Sequence, residues 1–160
     1  ERIRSRVPGV AIRTTLIVGF PGETDGDFER LRTFVGECRF HRLGVFAYSN
    51  EPGTPAAESG LDPVPADVAL ERRDELLLLQ SEISLSRNRD LLGQTVEVLV
   101  ERRLADGLFL GRTYADAPEV DNAVVLEGPS ECLSLGIVPV RVHEAGTYDL
   151  RGKALDIRNS

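Results

Sequence analysis

The 160-residue chain has no methionine and no tryptophan, two cysteines, and a single lysine, Lys153, among 19 basic residues. Methionine is missing even from the first position, Glu1, so a piece of a longer protein is expected. Cys38 and Cys132 lie far apart with no CxxC partner, which argues against a disulfide framework and against a thiolate metal site. They read as small buried residues. No apolar run approaches the roughly 20 residues that span a bilayer, and no signal-peptide pattern opens the chain. A soluble, cytoplasmic protein is expected. The scarcity of lysine reads as genomic bias without functional content.

Positive charge is also short, with a formal net charge of −7. Residues 1–92 hold 12 basic against 15 acidic side chains, net −3, and residues 93–160 hold 7 against 11, net −4. Neither half has the positive field that generic polyanion binding needs. The apolar fraction of 41% is enough for a packed core.

Val10 to Val18, VAIRTTLIV, is an apolar, β-branched run that suits a strand buried on both faces of a parallel sheet. Gly19-Phe20-Pro21-Gly22 ends it, and Thr24 with Asp27 forms a capping-box-like helix start. Phe28, Leu31, Val35 and Cys38 then recur on one helical face. A second short strand, Leu43 to Tyr48, completes a βαβ unit and runs into the irregular loop SNEPGTPAAESGLDPV. Pro65 fits the first position of a long helix that carries Leu76, Leu79 and Ile83 on one stripe and stops at Gly93. Beyond Gly93, alternating TVEVLVE and the Gly-bounded runs LFLGRTY, AVVLEG, GIVPVRVHEA and TYDLRGKAL indicate a small closed β-barrel. The expected fold class is α/β plus all-β. Residues 1–64 hold the α/β piece, 65–92 a linker helix, and 93–160 a small antiparallel barrel. A two-stranded βαβ unit is too small to be a whole domain.

Two turns are candidate sites, because ligands of α/β folds bind beyond the carboxyl ends of strands. The first, Gly19 to Glu23, lacks the lysine of a phosphate loop, and its glycines equally read as shaping a tight turn. The second begins at Tyr48-Ser49, where Tyr48 alternatively reads as an aromatic at the rim of the core. Side by side, the two could clasp an adenosine through backbone groups. In the second half, Asp116, Glu119 and Asp121 form an acidic stretch that reads as a docking loop or simply as a solvated one.

The motifs IVGFPGET, GVFAYS and EPGTPA, in that order, resemble the C-terminal part of the radical S-adenosylmethionine domain of methylthiotransferases. The barrel resembles their TRAM domain. The resemblance implies that residues 1–64 belong to a (β/α) barrel and that the barrel of residues 93–160 is OB-like. GRTYADAPEVDN and YDLRGKAL resemble the RimO branch, which adds a methylthio group to the β-carbon of an aspartate in small-subunit ribosomal protein twelve. The resemblance implies S-adenosylmethionine and two [4Fe–4S] clusters in a full-length enzyme. It places the cofactor beside Ile17, Gly19, Phe20, Pro21, Gly22, Phe46, Ala47 and Tyr48. Cluster ligands need thiolates at short spacing, so no catalytic or metal-binding residue is assigned here, and the chain alone is expected to be inactive. The acidic barrel points to the basic ribosomal protein as partner, bound through Asp116, Glu119 and Asp121, and speaks against RNA; no membrane partner is expected. The alternatives are a tRNA-modifying methylthiotransferase with an RNA-binding barrel, and a stand-alone binding module.

Overall fold

The computed structural model describes residues 2–118 and 121–155. The chain divides into two compact units, residues 1–8 with 12–83 and residues 9–11 with 84–160. Each is built around its own apolar cluster.

The first unit begins with a short helix, α1 (Arg2–Arg6), which the sequence reading did not foresee and which buries none of its side chains. Strand β1 (Arg13–Val18), helix α2 (Asp25–Cys38) and strand β2 (Arg42–Ala47) follow as the expected βαβ. The strands pair in parallel, with Ile17 opposite Phe46 and Val18 opposite Ala47. Thr24 caps α2 in a full capping box: its hydroxyl accepts the Asp27 N–H while the Asp27 carboxylate accepts the Thr24 N–H.

The first part of helix α3 (Ala66–Asp90) belongs to the same unit. Pro65 stands one position outside the helix, and its carbonyl accepts the Ala69 N–H at 3.0 Å. Val18, Phe28, Val35, Phe40, Val45, Leu76 and Ile83 form the core, to which β1, α2, β2 and α3 all contribute.

Strand β1 differs from the expectation. It starts at Arg13 and alternates exposed with half-buried residues up to the buried Val18, so it is not covered on both faces. Thr15 and Ile17 face solvent on the side opposite the core. Two strands with helices against one face cannot bury the other.

The second unit is a closed five-stranded barrel of β3 (Thr95–Ala105), β4 (Leu108–Arg112), β5 (Val124–Glu127), β6 (Ile137–Ala145) and β7 (Leu150–Ala154). The spatial order is β3-β4-β5-β7-β6, with β6 returning to β3. All five strands match short runs read from the sequence, the alternating one at β3, which continues past it to Ala105, and the Gly-bounded ones after it. One seam departs from the antiparallel expectation, because β5 and β7 pair in parallel. The short helix α4 (Cys132–Leu135) carries the chain from β5 to β6, which lets β7 enter beside β5 in the same direction. Phe109, Val124, Leu126, Val138, Val140 and Val142 fill the interior.

The last turns of α3 hold the β6–β7 hairpin. Ser84 donates to the Thr147 carbonyl at 2.7 Å, and Asn88 Nδ2 donates to the carbonyls of Gly146 at 2.9 Å and Thr147 at 3.1 Å. Ser84 and Asn88 are both buried. No helix among the described residues is long and apolar enough to cross a membrane.

Candidate functional site

Of the site residues read from the sequence, Ile17 and Phe46 lie on the uncovered face of the β1–β2 sheet. Ile17 is 55% exposed and Phe46, its partner in the ladder, 60%. Side chains two residues apart share a face, so Thr15 and Ile17 on β1 stand beside Gly44 and Phe46 on β2. Ala47 is opposite the buried Val18 and shares its face of the sheet, not that of Phe46.

Beyond the strand ends, Phe20 and Tyr48 meet edge to face with centroids 5.2 Å apart. The Tyr48 N–H donates to the Val18 carbonyl at 2.8 Å, extending the parallel ladder by one residue. The structure thus brings Ile17, Phe20, Phe46 and Tyr48 to one end of one sheet, where they offer apolar and aromatic surface.

The turn between β1 and α2 is tightly tied. Gly22 N–H donates to Asp62 O at 2.8 Å and Glu23 N–H to Phe20 O at 2.9 Å. Gly19 has φ +72°, and a Cβ there would overlap Ala69 Cβ of α3 and come within 3.2 Å of its Cα. The need for glycine at position 19 is therefore explained by helix packing and by positive φ. Close approach of a ligand is not required to account for it.

Two charged side chains tie this turn: Glu23, which belongs to the candidate turn read from the sequence, and Arg72 of α3, which the sequence did not single out. The Glu23 carboxylate accepts the Gly19 N–H at 3.0 Å with one oxygen and Arg72 Nη1 at 2.7 Å with the other. Arg72 is buried, reaches Asp25 with Nη2 at 2.6 Å, and lies over the Phe28 ring at 5.4 Å. The available signal was its position: Ala69, Arg72, Leu76 and Ile83 share the buried stripe of α3, and a guanidinium on an apolar stripe implies a buried partner.

The acidic loop is more folded than its composition implied. Asp116 is only 6% exposed; its carboxylate accepts the Thr113 hydroxyl at 2.6 Å and the Thr113 N–H at 3.3 Å. Asp121 accepts the Ala117 N–H at 2.7 Å. Both carboxylates brace the loop itself. Glu119 lies outside the described residues.

S-adenosylmethionine fits the first site in kind, since an open apolar face bounded by aromatics can receive a purine and exclude water from it. The cluster chemistry does not fit. Cys38 ends α2 in one unit and Cys132 is buried in the barrel of the other. Burial pushes the Cys132 thiol up from its ordinary value, away from the thiolate that ligation needs. Among the described residues no group of three or more His, Cys, Asp or Glu could hold a metal ion.

Residues 92–155 match the family model described as TRAM domain. Over 154 residues the chain is 46% identical to a "Ribosomal protein uS12 methylthiotransferase RimO" of Heliobacterium modesticaldum, covering 96% of this chain and 33% of the relative. The Anaeromyxobacter sp. (strain K) protein of the same name is 48% identical over 160 residues, with 96% and 33% covered. That of Flavobacterium psychrophilum is 46% identical over 151 residues, with 94% and 34% covered. The chain spans about a third of the length of the curated relatives it matches.

Proposed function

As a counterpart of one third of a RimO-type ribosomal protein methylthiotransferase, ending in a TRAM domain, this chain, we propose, supplies one wall of that enzyme's S-adenosylmethionine site together with its protein-recognition domain. The full-length enzyme transfers a methylthio group to the β-carbon of an aspartate in ribosomal protein twelve, in the cytoplasm. The observation that carries this reading is the ladder pair Ile17–Phe46, open to solvent beside the Phe20–Tyr48 contact.

The division of labour follows from the residues. Ile17 and Phe46 give the adenosine an apolar surface and keep water from it, while Phe20 and Tyr48 close the end of the sheet. The backbone from Gly19 to Gly22 and at Ala47 borders the same space. When bound, the cofactor supplies the group that activates the substrate carbon. The two [4Fe–4S] clusters are held by a part of the enzyme outside these residues, and no step through them is assigned to this chain.

The TRAM barrel meets the ribosomal protein. Its net charge of −4 over residues 93–160 repels a phosphate backbone and attracts a basic protein, which favours steering and orientation. Since the Asp116 and Asp121 carboxylates are engaged within the loop, the attraction is assigned to the net charge of the barrel as a whole.

The test is cofactor affinity in a full-length enzyme carrying this chain. Phe46→Ser and Ile17→Ser should each weaken S-adenosylmethionine binding about tenfold or more, because apolar contacts of this size discriminate at that level. Unchanged affinity in both folded variants would remove the site assignment. For the barrel, the same protein is titrated against ribosomal protein twelve and tRNA at physiological salt. Tighter binding to tRNA would move the chain to the tRNA-modifying branch.

A further inference from the structure

Helix α3 grips the turn between β1 and α2 with two residues one helical turn apart. Ala69 packs against Gly19, which has no room for a side chain of its own. Arg72 reaches Glu23, and Glu23 in turn accepts the Gly19 N–H. The chain of contacts runs from a buried guanidinium, through a carboxylate whose two oxygens have different partners, to the amide at the exit of β1.

We infer that Arg72 is a positioning residue for the cofactor-facing turn, acting through Glu23; this rests on the reading of the turn given above. Net stability does not account for the arrangement. A buried Arg–Glu pair contributes little compared with apolar side chains of similar volume, and α3 already has Leu76 and Ile83 to bind it to the core. The ion pair contributes direction. With Arg72 Nη1 on Oε1, the other Glu23 oxygen, Oε2, is left facing the Gly19 N–H. Gly19 is then held at φ +72°, and that dihedral sets where Phe20 leaves the strand toward Tyr48.

The planar fork of arginine is what allows one side chain to engage Glu23 and Asp25 together while lying over Phe28. Lysine presents a single point charge and cannot reproduce this. Loss of the fork frees Glu23 to turn away, and the turn gains alternative conformations at the edge of the ligand surface.

The experiment uses a full-length enzyme carrying this chain, with cofactor binding measured by titration of the folded protein and thermal stability followed in parallel. Arg72→Gln should weaken S-adenosylmethionine binding about tenfold, since small misplacements of positioning groups carry costs of this order. In a Glu23→Gln background the same change should cost less than about twofold, because residues that act as a unit are not additive. Arg72→Lys serves if the glutamine variant does not fold, and the same pattern is expected of it. In the cofactor-free protein, amide exchange at Gly19 should speed up in the Arg72 variants, a readout that does not depend on activity.

Equal losses in both backgrounds would show that Arg72 acts by general stability alone and would overturn the inference. So would unchanged affinity in a folded Arg72 variant while Phe46→Ser still weakens binding. If Phe46→Ser and Ile17→Ser have no effect either, the cofactor reading of the turn fails with it.

Discussion

Ile17 and Phe46 lie opposite one another in the parallel β1–β2 pair, and both are more exposed than buried. Two large apolar side chains facing solvent on adjacent strands gain nothing for the fold of this unit. In the isolated chain, replacing Phe46 by serine should therefore change unfolding free energy by no more than about 0.5 kcal/mol, as for ordinary surface positions. Urea denaturation measures it. A loss of several kcal/mol would mean that this face is packed in solution.

Gly19 carries the opposite expectation. Gly19→Ala places a methyl where Ala69 already stands and forces an L-residue to φ +72°. The positive φ costs about 1–2 kcal/mol and overpacking about 1–3 kcal/mol more. Gly53→Ala, at φ +80° with nothing within 4 Å, should lose only the first contribution. Comparing the two by thermal or urea unfolding separates backbone strain from the helix contact.

The start of α2 should respond to acid. Hydrogen bonds from the Thr24 side chain and backbone, with the nearby Arg30 charge, hold Asp27 below its ordinary value of 3.8. A carboxyl depressed in the folded state contributes stability that is present above its unfolded value and is lost as pH falls through its folded value. Amide exchange in the first turn of α2 should therefore accelerate below about pH 4 beyond its intrinsic pH dependence, and Asp27→Asn should flatten that excess. Thr24→Ala should cost about 1 kcal/mol at neutral pH.

Asp116→Ala should destabilise the barrel, although the residue belongs to an acidic surface loop by sequence. Its removal leaves the Thr113 hydroxyl and N–H without this acceptor, at a cost of about 1–3 kcal/mol. Chemical denaturation followed in the barrel checks this. An exposed steering charge would instead change only the association rate with a basic partner and its salt dependence.

Within the barrel unit, Asn88→Ala should loosen the β6–β7 hairpin by releasing the carbonyls of Gly146 and Thr147. Faster exchange of the Gly146 amide, which donates to Asp149 O at 2.8 Å, is the expected sign. An unchanged rate would place the hairpin's rigidity in the turn itself.

The amino-acid order by itself determined the elements whose signals are local. The β-branched run ending at Val18, the Thr24–Asp27 capping box, the stripe of Phe28, Leu31 and Val35, and the alternation from Thr95 onward each depend on neighbours within a few residues. Backbone propensity and solvent exclusion act at that range, so the βαβ unit and the five strands were readable. Tertiary structure alone decided that β1 has one bare face, that β5 and β7 run parallel, and that Asp116 turns inward. It also joined Arg72 to Glu23 across 49 positions of sequence. Which partner a charge meets and which side of a strand stays open depend on segments brought together only by folding, and no local period records that.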